Sequence, residues 1–280
     1  MIKRPSFNNL LQSKWQESKF VCVGLDSDYS KLPQSIKKNN STRSAILKFN
    51  QQIIDATFDL VLAYKAQVSF YEAVGEGGWR ALKKTVQYLH QKYPNIPTIL
   101  DAKRGDIGNT NLGYTKAIFD DLGFDAVTIN PYLGQEALAP FLACTDKGII
   151  ILVKTSNPGA GEFQDLQVAG KPLYQIVAEH VAKKWNKNNN CCVVVGATYP
   201  KDLKKVRDIV GDMPILIPGM GVQGGEIKST VLAGKDSHRQ GMIINSSRGI
   251  IFASQNKDFA KMARTATLNL HQAINKYLKD

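Results

Sequence analysis

Eight short apolar runs alternate along the sequence with longer stretches in which apolar and polar positions are mixed. Each run is nearly continuous and rich in β-branched residues, which is typical of a strand buried on both faces of a parallel sheet. The runs predict strands over Phe20–Leu25, Leu60–Gln67, Thr98–Asp101, Phe124–Ile129, Gly148–Lys154, Cys191–Gly196, Pro214–Pro218 and Gly241–Asn245.

The stretches between these runs carry apolar residues at helical spacing. In one of them Ile46, Phe49 and Ile53 fall on a single helix face. Another follows Pro172, and a proline suits the start of a helix. The spacing predicts helices over Thr42–Asp59, Gly78–Tyr93, Pro172–Asn186 and Phe259–Leu278.

Strand–helix alternation repeated in this way favours an α/β fold of the (β/α)8 TIM-barrel class. A doubly wound open sheet has the same alternation, and spacing alone does not separate the two architectures. No linker, composition shift or internal repeat divides the sequence, so we expect residues 1–280 to form a single barrel domain. In such a barrel the chemistry lies at the carboxyl ends of the strands.

Charge and composition narrow the class of partner. The chain has 36 basic and 24 acidic residues, a net charge of +12, which suits either a nucleic acid or a small anionic substrate. The basic residues are scattered, and no aromatic–basic stripe is available for stacking bases, so we expect a small anion and no nucleic acid. No apolar run approaches the roughly 18 residues of a membrane span. We therefore expect a cytoplasmic protein without membrane contact.

The four cysteines do not form a pattern typical of metal or disulfide sites. Cys22, Cys191 and Cys192 lie in apolar strand-like runs, whereas Cys144 lies outside them. Neighbouring cysteines rarely pair with each other or build a structural zinc site. We expect buried, reduced thiols.

Charged residues interrupt the carboxyl ends of three successive predicted strands. The first strand is followed by Asp26, the second carries Lys65, and the third ends with Asp101 and Lys103. One such residue would suggest a structural ion pair, because an unpaired buried charge is costly. Three matching strand ends make that interpretation much weaker. With Asp106 beyond Gly105, the residues alternate in charge, which keeps lysines protonated and fixed in place.

A phosphate site is predicted on the far side of the barrel mouth. Gly219, Gly221, Gly224 and Gly225 follow the seventh strand, where exposed backbone N–H groups can bind an anion. A mere tight turn explains such glycines equally well. Arg248 at the end of the eighth strand adds a guanidinium in the expected place, with a surface salt bridge as the alternative.

The run Asp101-Ala-Lys-Arg-Gly-Asp-Ile-Gly-Asn-Thr110 resembles the signature of the orotidine 5′-phosphate decarboxylase family, in its longer bacterial subfamily (type 2). The sequence departs from that pattern at Ala66, where proline is expected after the strand-two lysine. Further segments resemble the subfamily in order and spacing: Val21-Cys-Val-Gly-Leu-Asp26, Asn130-Pro-Tyr-Leu-Gly134, Thr155-Ser-Asn-Pro-Gly159, Val194-Val-Gly-Ala-Thr198, Pro218-Gly-Met-Gly-Val-Gln-Gly-Gly225 and Ser246-Ser-Arg248.

The resemblance implies a homodimeric lyase that converts orotidine 5′-monophosphate to UMP and CO2 without cofactor or metal, the last step of de novo pyrimidine nucleotide biosynthesis. It implies a catalytic tetrad in which Lys103 is the proton donor. The residues that it implicates in catalysis are Lys65, Asp101, Lys103 and Asp106; those that it implicates in binding are Asp26 (ribose), Ser156 (pyrimidine), Pro218 (base pocket), Gln223 and Arg248 (5′-phosphate), and Thr110, which with Asp106 would reach the neighbouring subunit's site.

Three alternatives remain open on the sequence alone. Metal-dependent sugar-phosphate decarboxylases or aldolases share the Asp-x-Lys-x-x-Asp pattern, but Lys65, Thr110 and the segment around Ser156 favour a nucleotide. A Schiff-base aldolase needs an uncharged lysine, whereas Lys103 stands between two carboxylates. A basic nucleic-acid-binding barrel would give the aspartates no role.

Overall fold

The computed structural model describes residues 4–220 and 224–279, and in this part of the chain eight parallel strands close into a barrel. Strand β1 pairs with both β2 and β8, which closes the ring and rules out the open sheet. The predicted fold class is therefore confirmed, and each predicted strand is present. The strands are β1 (Val21–Gly24), β2 (Val61–Gln67), β3 (Thr98–Arg104), β4 (Ala126–Ile129), β5 (Gly148–Lys154), β6 (Cys191–Val195), β7 (Ile215–Pro218) and β8 (Met242–Ser246).

Helices follow the strands and cover the barrel. The four predicted helices are confirmed, although the second begins three residues early, at Gly75. The helices are α1 (Phe7–Gln16), α2 (Gln34–Lys37), α3 (Thr42–Thr57), α4 (Ser69–Glu72), α5 (Gly75–Lys92), α6 (Gly108–Thr115), α7 (Gly134–Leu142), α8 (Gly161–Gln164), α9 (Leu173–His180), α10 (Pro200–Val210), α11 (Gly224–Gly234), α12 (Arg248–Ile251) and α13 (Phe259–Lys279), with π-helical continuations Lys116–Asp121 and Val181–Trp185, 3-10 turns Tyr29–Lys31 and Pro158–Ala160, and a small antiparallel pair, Gln167–Val168 with Lys171–Pro172.

Strand β3 is longer than predicted. The apolar run ends at Asp101, but the strand continues to Arg104 with a shift in its register against β4. The hydroxyl of Thr128 accepts the backbone N–H groups of Ala102 and Lys103, each at 3.0 Å, and thereby bridges the irregular segment. Strand pairing resumes where Asn130 donates its N–H to Arg104 at 2.7 Å.

The amino-terminal end of the barrel is held by a partly buried ion pair. Arg4 donates two hydrogen bonds to the carboxylate of Asp125, at 2.6 and 2.9 Å. That carboxylate also accepts the backbone N–H and the hydroxyl of Thr98, at 2.8 and 2.9 Å. Contacts of this kind stabilise the barrel and leave the opposite, carboxyl end for chemistry.

The thiols of Cys22, Cys191 and Cys192 are buried and unpaired, as the sequence predicts. Cys22 lies in β1, whereas the other two lie side by side in β6. Burial raises the pKa of Cys22 and of Cys191 to about 12, so these thiols have little nucleophilic character. Among the described residues, no helix has the length and apolar character needed to cross a membrane.

Candidate active site

Side chains of alternating charge from three neighbouring strands form one connected row at the carboxyl end of the barrel. We call Asp26, Lys65, Asp101 and Lys103 the charged row. The Nζ atom of Lys65 lies 3.5 Å from Oδ1 of Asp26 and 3.1 Å from Oδ2 of Asp101. The Nζ atom of Lys103 lies 2.6 Å from Oδ1 of Asp101. The structure thus brings together four of the charged residues that the sequence singles out.

Burial decreases from Lys65 through Asp101 to Lys103, and Asp26 at the other end of the row is 17% exposed. The Lys65 side chain is 3% exposed, that of Asp101 is 14% exposed and that of Lys103 is 45% exposed. The ammonium of Lys103 is therefore the group of the row that a bound molecule can meet most readily. An ammonium fixed in this way can donate a proton or stabilise a negative charge that develops beside it.

The row keeps Asp101 and Lys65 ionised. Burial disfavours the carboxylate of Asp101, but the ammonium groups of Lys65 and Lys103 outweigh this effect and lower the pKa of Asp101 to about 2. Burial likewise disfavours the ammonium of Lys65, yet Asp26 and Asp101 raise the pKa of that lysine above its ordinary value. The charges of these two groups therefore persist through the physiological pH range.

The backbone of Lys103 lies in the left-handed region, with φ of 46°. This conformation is unfavourable for a residue with a side chain and needs support from its surroundings. Thr128 supplies that support, because its hydroxyl donates to Oδ1 of Asp101 at 2.9 Å while it accepts the amides of Ala102 and Lys103. A Cβ atom on Gly105 would lie 2.7 Å from the backbone oxygen of Asn130, so only glycine fits at the following turn.

A buried hydrogen-bond network holds the segment that carries Asp26. The hydroxyl of Ser27 donates to Asn50 at 2.6 Å, Asn50 donates to the hydroxyl of Tyr71 at 3.0 Å, and Tyr71 donates to the backbone oxygen of Leu25 at 2.8 Å. Oδ1 of Asp26 is itself buried and has no hydrogen-bond partner within residues 4–220 and 224–279. This carboxylate oxygen is therefore available to accept a hydroxyl group.

The fourth residue of the expected tetrad does not join the row within one chain. The carboxylate of Asp106 accepts the backbone N–H of Ile107 at 2.7 Å, and no ion pair links it to a lysine of the described residues. Thr110 is exposed on α6. Asp106 itself is partly buried.

Ser156 lies where the ends of three strands meet. It follows β5 by two residues. A Cβ atom on Gly196 would lie 2.7 Å from the Cβ atom of Ser156, and one on Gly219 would lie 3.7 Å from its Oγ atom. Ser156 therefore packs against the segments that follow β6 and β7. Pro218, the last residue of β7, is partly buried beside them.

The expected phosphate-binding residues follow β7 and β8. Arg248 is the exposed first residue of α12, and no hydrogen bond or ion pair within the described ranges occupies its guanidinium. The neighbouring Ser247 packs against Gly24, where a Cβ atom would lie 1.8 Å from its Oγ atom. Helix α11 begins at Gly224. Gln223 lies outside the described residues, as does Gly221.

Sequence reasoning missed the residues that support the charged row, above all Thr128 and Asn50. A threonine inside the apolar run of β4 was the available signal, because a hydroxyl in a fully buried strand needs partners. Asn50 gave a similar signal on the buried face of α3. Among the described residues, no three His, Cys, Asp or Glu side chains are grouped as a metal site would require.

Comparisons with known proteins agree with this geometry. A family model described as "Orotidine 5'-phosphate decarboxylase / HUMPS family" matches residues 19–263, a range that contains every strand of the barrel. The orotidine 5′-phosphate decarboxylase of Cupriavidus metallidurans is 48% identical over 273 residues, which are 97% of this chain and 98% of that protein. Its namesake from Janthinobacterium sp. is 47% identical and covers 98% of this chain and 99% of its own length. The structure of Leishmania donovani OMP decarboxylase superposes with a TM-score of 0.85 at 34% identity, covering 98% of this chain and 99% of that one.

Proposed function

Because this chain belongs to the orotidine 5′-phosphate decarboxylase / HUMPS family, we propose that it decarboxylates orotidine 5′-monophosphate to UMP and CO2. The observation that carries the proposal is the charged row, which ends in a half-exposed ammonium held by a buried carboxylate. Full-length relatives that bear the name of this decarboxylase favour it over other members of the family.

The reaction leaves a carbanion on a ring carbon that delocalises charge poorly, so the site must stabilise that charge. The ammonium of Lys103 performs two tasks in this scheme. Its positive charge stabilises the carbanion as the C–C bond to CO2 breaks, and its proton then forms the new C–H bond. Asp101 holds the ammonium in place through a hydrogen bond, and Lys65 in turn keeps Asp101 ionised. Repulsion between Asp101 and the substrate carboxylate would add a smaller contribution.

We assign the ribose to Asp26. Its buried Oδ1 atom lies 3.5 Å from the ammonium of Lys65 but has no hydrogen-bond donor among the described residues, and a sugar hydroxyl supplies one. Ser156 would hydrogen-bond the pyrimidine, and Pro218 would line the base pocket. Their places at the ends of β5 and β7 support these roles, because both lie at the barrel mouth.

The phosphate is assigned to Arg248, to Gln223 and to the start of α11. The exposed guanidinium of Arg248 and the N–H groups at the start of this helix suit a dianion. The phosphate is remote from the reacting carbon. Its binding energy can therefore be used to organise the site around the base.

We further propose a homodimer in which Asp106 and Thr110 complete the neighbouring site. The carboxylate of Asp106 makes no contact with the lysines of its own row, which leaves it free for another subunit. Large apolar side chains are exposed on the same side of the barrel, as expected of a surface that a second copy covers. They are Ile107, Leu112, Tyr132 and Leu133.

The function is tested by decarboxylation of orotidine 5′-monophosphate in a chelator and without added cofactor. We expect turnover by the native protein, a loss of at least about a hundredfold in Lys103→Ala, and nearly unchanged UMP binding by that variant. Lys187→Ala, which removes an exposed lysine from the connection before β6, is the matched control. No turnover by the native protein would refute the function, and near-native turnover by Lys103→Ala would refute the role of this lysine.

A further inference from the structure

The segment that follows β5 is tied back on itself by two pairs of side chains. The first pair joins the last residue of β5 to the end of α8: Nζ of Lys154 lies 2.5 Å from Oδ1 of Asp165. Lys154 is 2% exposed, and its ammonium lies 5.3 and 5.5 Å from the ring centroids of Tyr174 and Tyr199. The buried ammonium of Lys154 is thus paired with the carboxylate of Asp165, outside the barrel strands.

The second pair lies directly beside the first. Gln164 accepts the backbone N–H of Thr155 at 2.9 Å and donates to its hydroxyl at 2.9 Å. The pairs Lys154–Asp165 and Thr155–Gln164 together form what we call the clasp. They close the intervening residues 156–163 into a loop whose two ends are held side by side.

Hydrogen bonds join the elements behind the clasp to one another. Tyr174 belongs to α9, and its hydroxyl donates to Asp202 of α10 at 3.1 Å. Lys154 also accepts the backbone N–H of Gly196 through its carbonyl oxygen at 2.9 Å, which fixes it to the end of β6. The clasp therefore joins the loop to two helices and two strands.

Ser156 packs against the segments that follow β6 and β7, whereas the rest of the loop, residues 157–163, is mostly exposed. Apart from the buried Ala160, their side chains are exposed or only partly buried, and Phe163 is 63% exposed. A cavity of about 590 Å³ lies beside the loop, lined in part by Phe163, Gln164 and Tyr174. Since apolar packing on this side is incomplete, polar contacts at the base of the loop determine its position.

Ser156 is the first residue inside the clasp, directly bonded to Thr155. We propose that Lys154, Gln164 and Asp165 are positioning residues that fix Ser156 for recognition of the pyrimidine ring. This inference rests on the proposed function of Ser156. The three residues act through the backbone of the loop, because the ammonium of Lys154 points to the helix side of β5, towards Tyr174, and away from the charged row.

The experiment compares Asp165→Ala with Glu162→Ala, which removes an exposed carboxylate from the same loop without touching the clasp. Asp165→Glu, which keeps the carboxylate, is the conservative variant. We expect Asp165→Ala to lower kcat/KM for orotidine 5′-monophosphate about tenfold or more, because small displacements of substrate-orienting groups have large effects. Affinity for ribose 5-phosphate, which lacks the base, stays unchanged. Asp165→Glu recovers part of the loss, and Glu162→Ala stays within about twofold of the native enzyme.

A double-mutant cycle tests whether the clasp acts through Ser156. In a Ser156→Ala background, Asp165→Ala should add less than about a twofold further loss, because the group that it positions is already gone. The proposal would be overturned if the two losses in kcat/KM multiply in full in the double variant. It would also be overturned if Asp165→Ala and Glu162→Ala have the same kcat/KM.

Amide hydrogen exchange tests the clasp independently of the proposed reaction. Without any nucleotide, residues 156–163 should exchange faster in Asp165→Ala and in Gln164→Ala than in Glu162→Ala, with the barrel strands unchanged. Unchanged exchange in both variants would overturn the clasp whatever the activity. If the native protein fails to decarboxylate orotidine 5′-monophosphate while exchange responds as expected, the proposed function is wrong and the clasp stands.

Discussion

Replacing Thr128 by valine tests how the protein holds its proposed proton donor in place. The Thr128 hydroxyl makes three hydrogen bonds, one to the Asp101 carboxylate and two from the amides of Ala102 and Lys103. Valine has nearly the same shape but puts a methyl group where the hydroxyl was. The substitution therefore removes the polar contacts of a fully buried side chain while it leaves the packing of β4 almost unchanged.

The magnitude follows from the groups that lose their partners. A buried donor without an acceptor costs about 1–3 kcal/mol. The amide of Ala102 is buried, so the loss of its acceptor has this full cost, whereas the amide of Lys103 is partly exposed and can donate to water instead. We expect the free energy of unfolding to fall by about 2–3 kcal/mol. The left-handed backbone of Lys103 also loses its support, and a catalytic group displaced by about 1 Å can lose about a hundredfold in rate.

The assay is steady-state decarboxylation with denaturant unfolding alongside, and Thr128→Ser is the matched control. Serine keeps the hydroxyl and deletes one methyl group, which costs about 1 kcal/mol of stability. We expect kcat to fall about 10- to 100-fold in Thr128→Val and to stay within about threefold in Thr128→Ser. Equal kcat values for the two variants would show that the hydroxyl does not position Lys103.

Three further predictions follow from the site. The pKa of Asp101 is lowered to about 2 in the folded protein from about 3.9 in the unfolded chain, so the ionised carboxylate stabilises the fold by about 2 kcal/mol. This contribution is complete above about pH 5 and is lost as the pH falls towards 2. The difference in unfolding free energy between the native protein and Asp101→Asn should therefore shrink between pH 7 and pH 3. Arg248→Ala should raise KM for orotidine 5′-monophosphate by about 10- to 100-fold and leave turnover of phosphate-free orotidine unchanged; equal losses on both substrates would reject the phosphate role. Co-expressed Lys103→Ala and Asp106→Ala subunits, each inactive alone, should regain about a quarter of native activity, because half of the dimers are mixed and one of their two sites is intact; no recovery would place Asp106 in the site of its own subunit.

The barrel could be predicted from the sequence because its strands are buried on both faces. Runs such as Gly148–Lys154 and Cys191–Gly196 are nearly all apolar, and their periodic alternation with helices leaves few architectures. Closure of the barrel could not be predicted in this way, since it depends on the pairing of β1 with β8 across the whole chain. The single domain over residues 1–280 stays a prediction.

The charged row was partly predictable for a related reason. Lys65 and Asp101 stand out because a charge inside an apolar run needs a partner, and matching strand ends indicate which residues those partners are. The backbone of Lys103 was not predictable, because its left-handed conformation depends on Thr128, a residue of the next strand. The clasp could not be predicted from the sequence for the same reason. Its segment is polar and without periodicity, and its pairs become visible only once the loop has closed.

The proposed roles follow the order of the strands around the barrel. Strand β8 leads to Arg248, its neighbour β1 leads to Asp26, and β2 and β3 carry the rest of the charged row. Phosphate, ribose and reacting carbon are joined in that same order in orotidine 5′-monophosphate, so neighbouring strands can hold neighbouring groups of the substrate. The row contains two carboxylates and two ammonium groups, so its own charges cancel. The most exposed charge of the row is the ammonium of Lys103, where a carbanion must be stabilised and protonated.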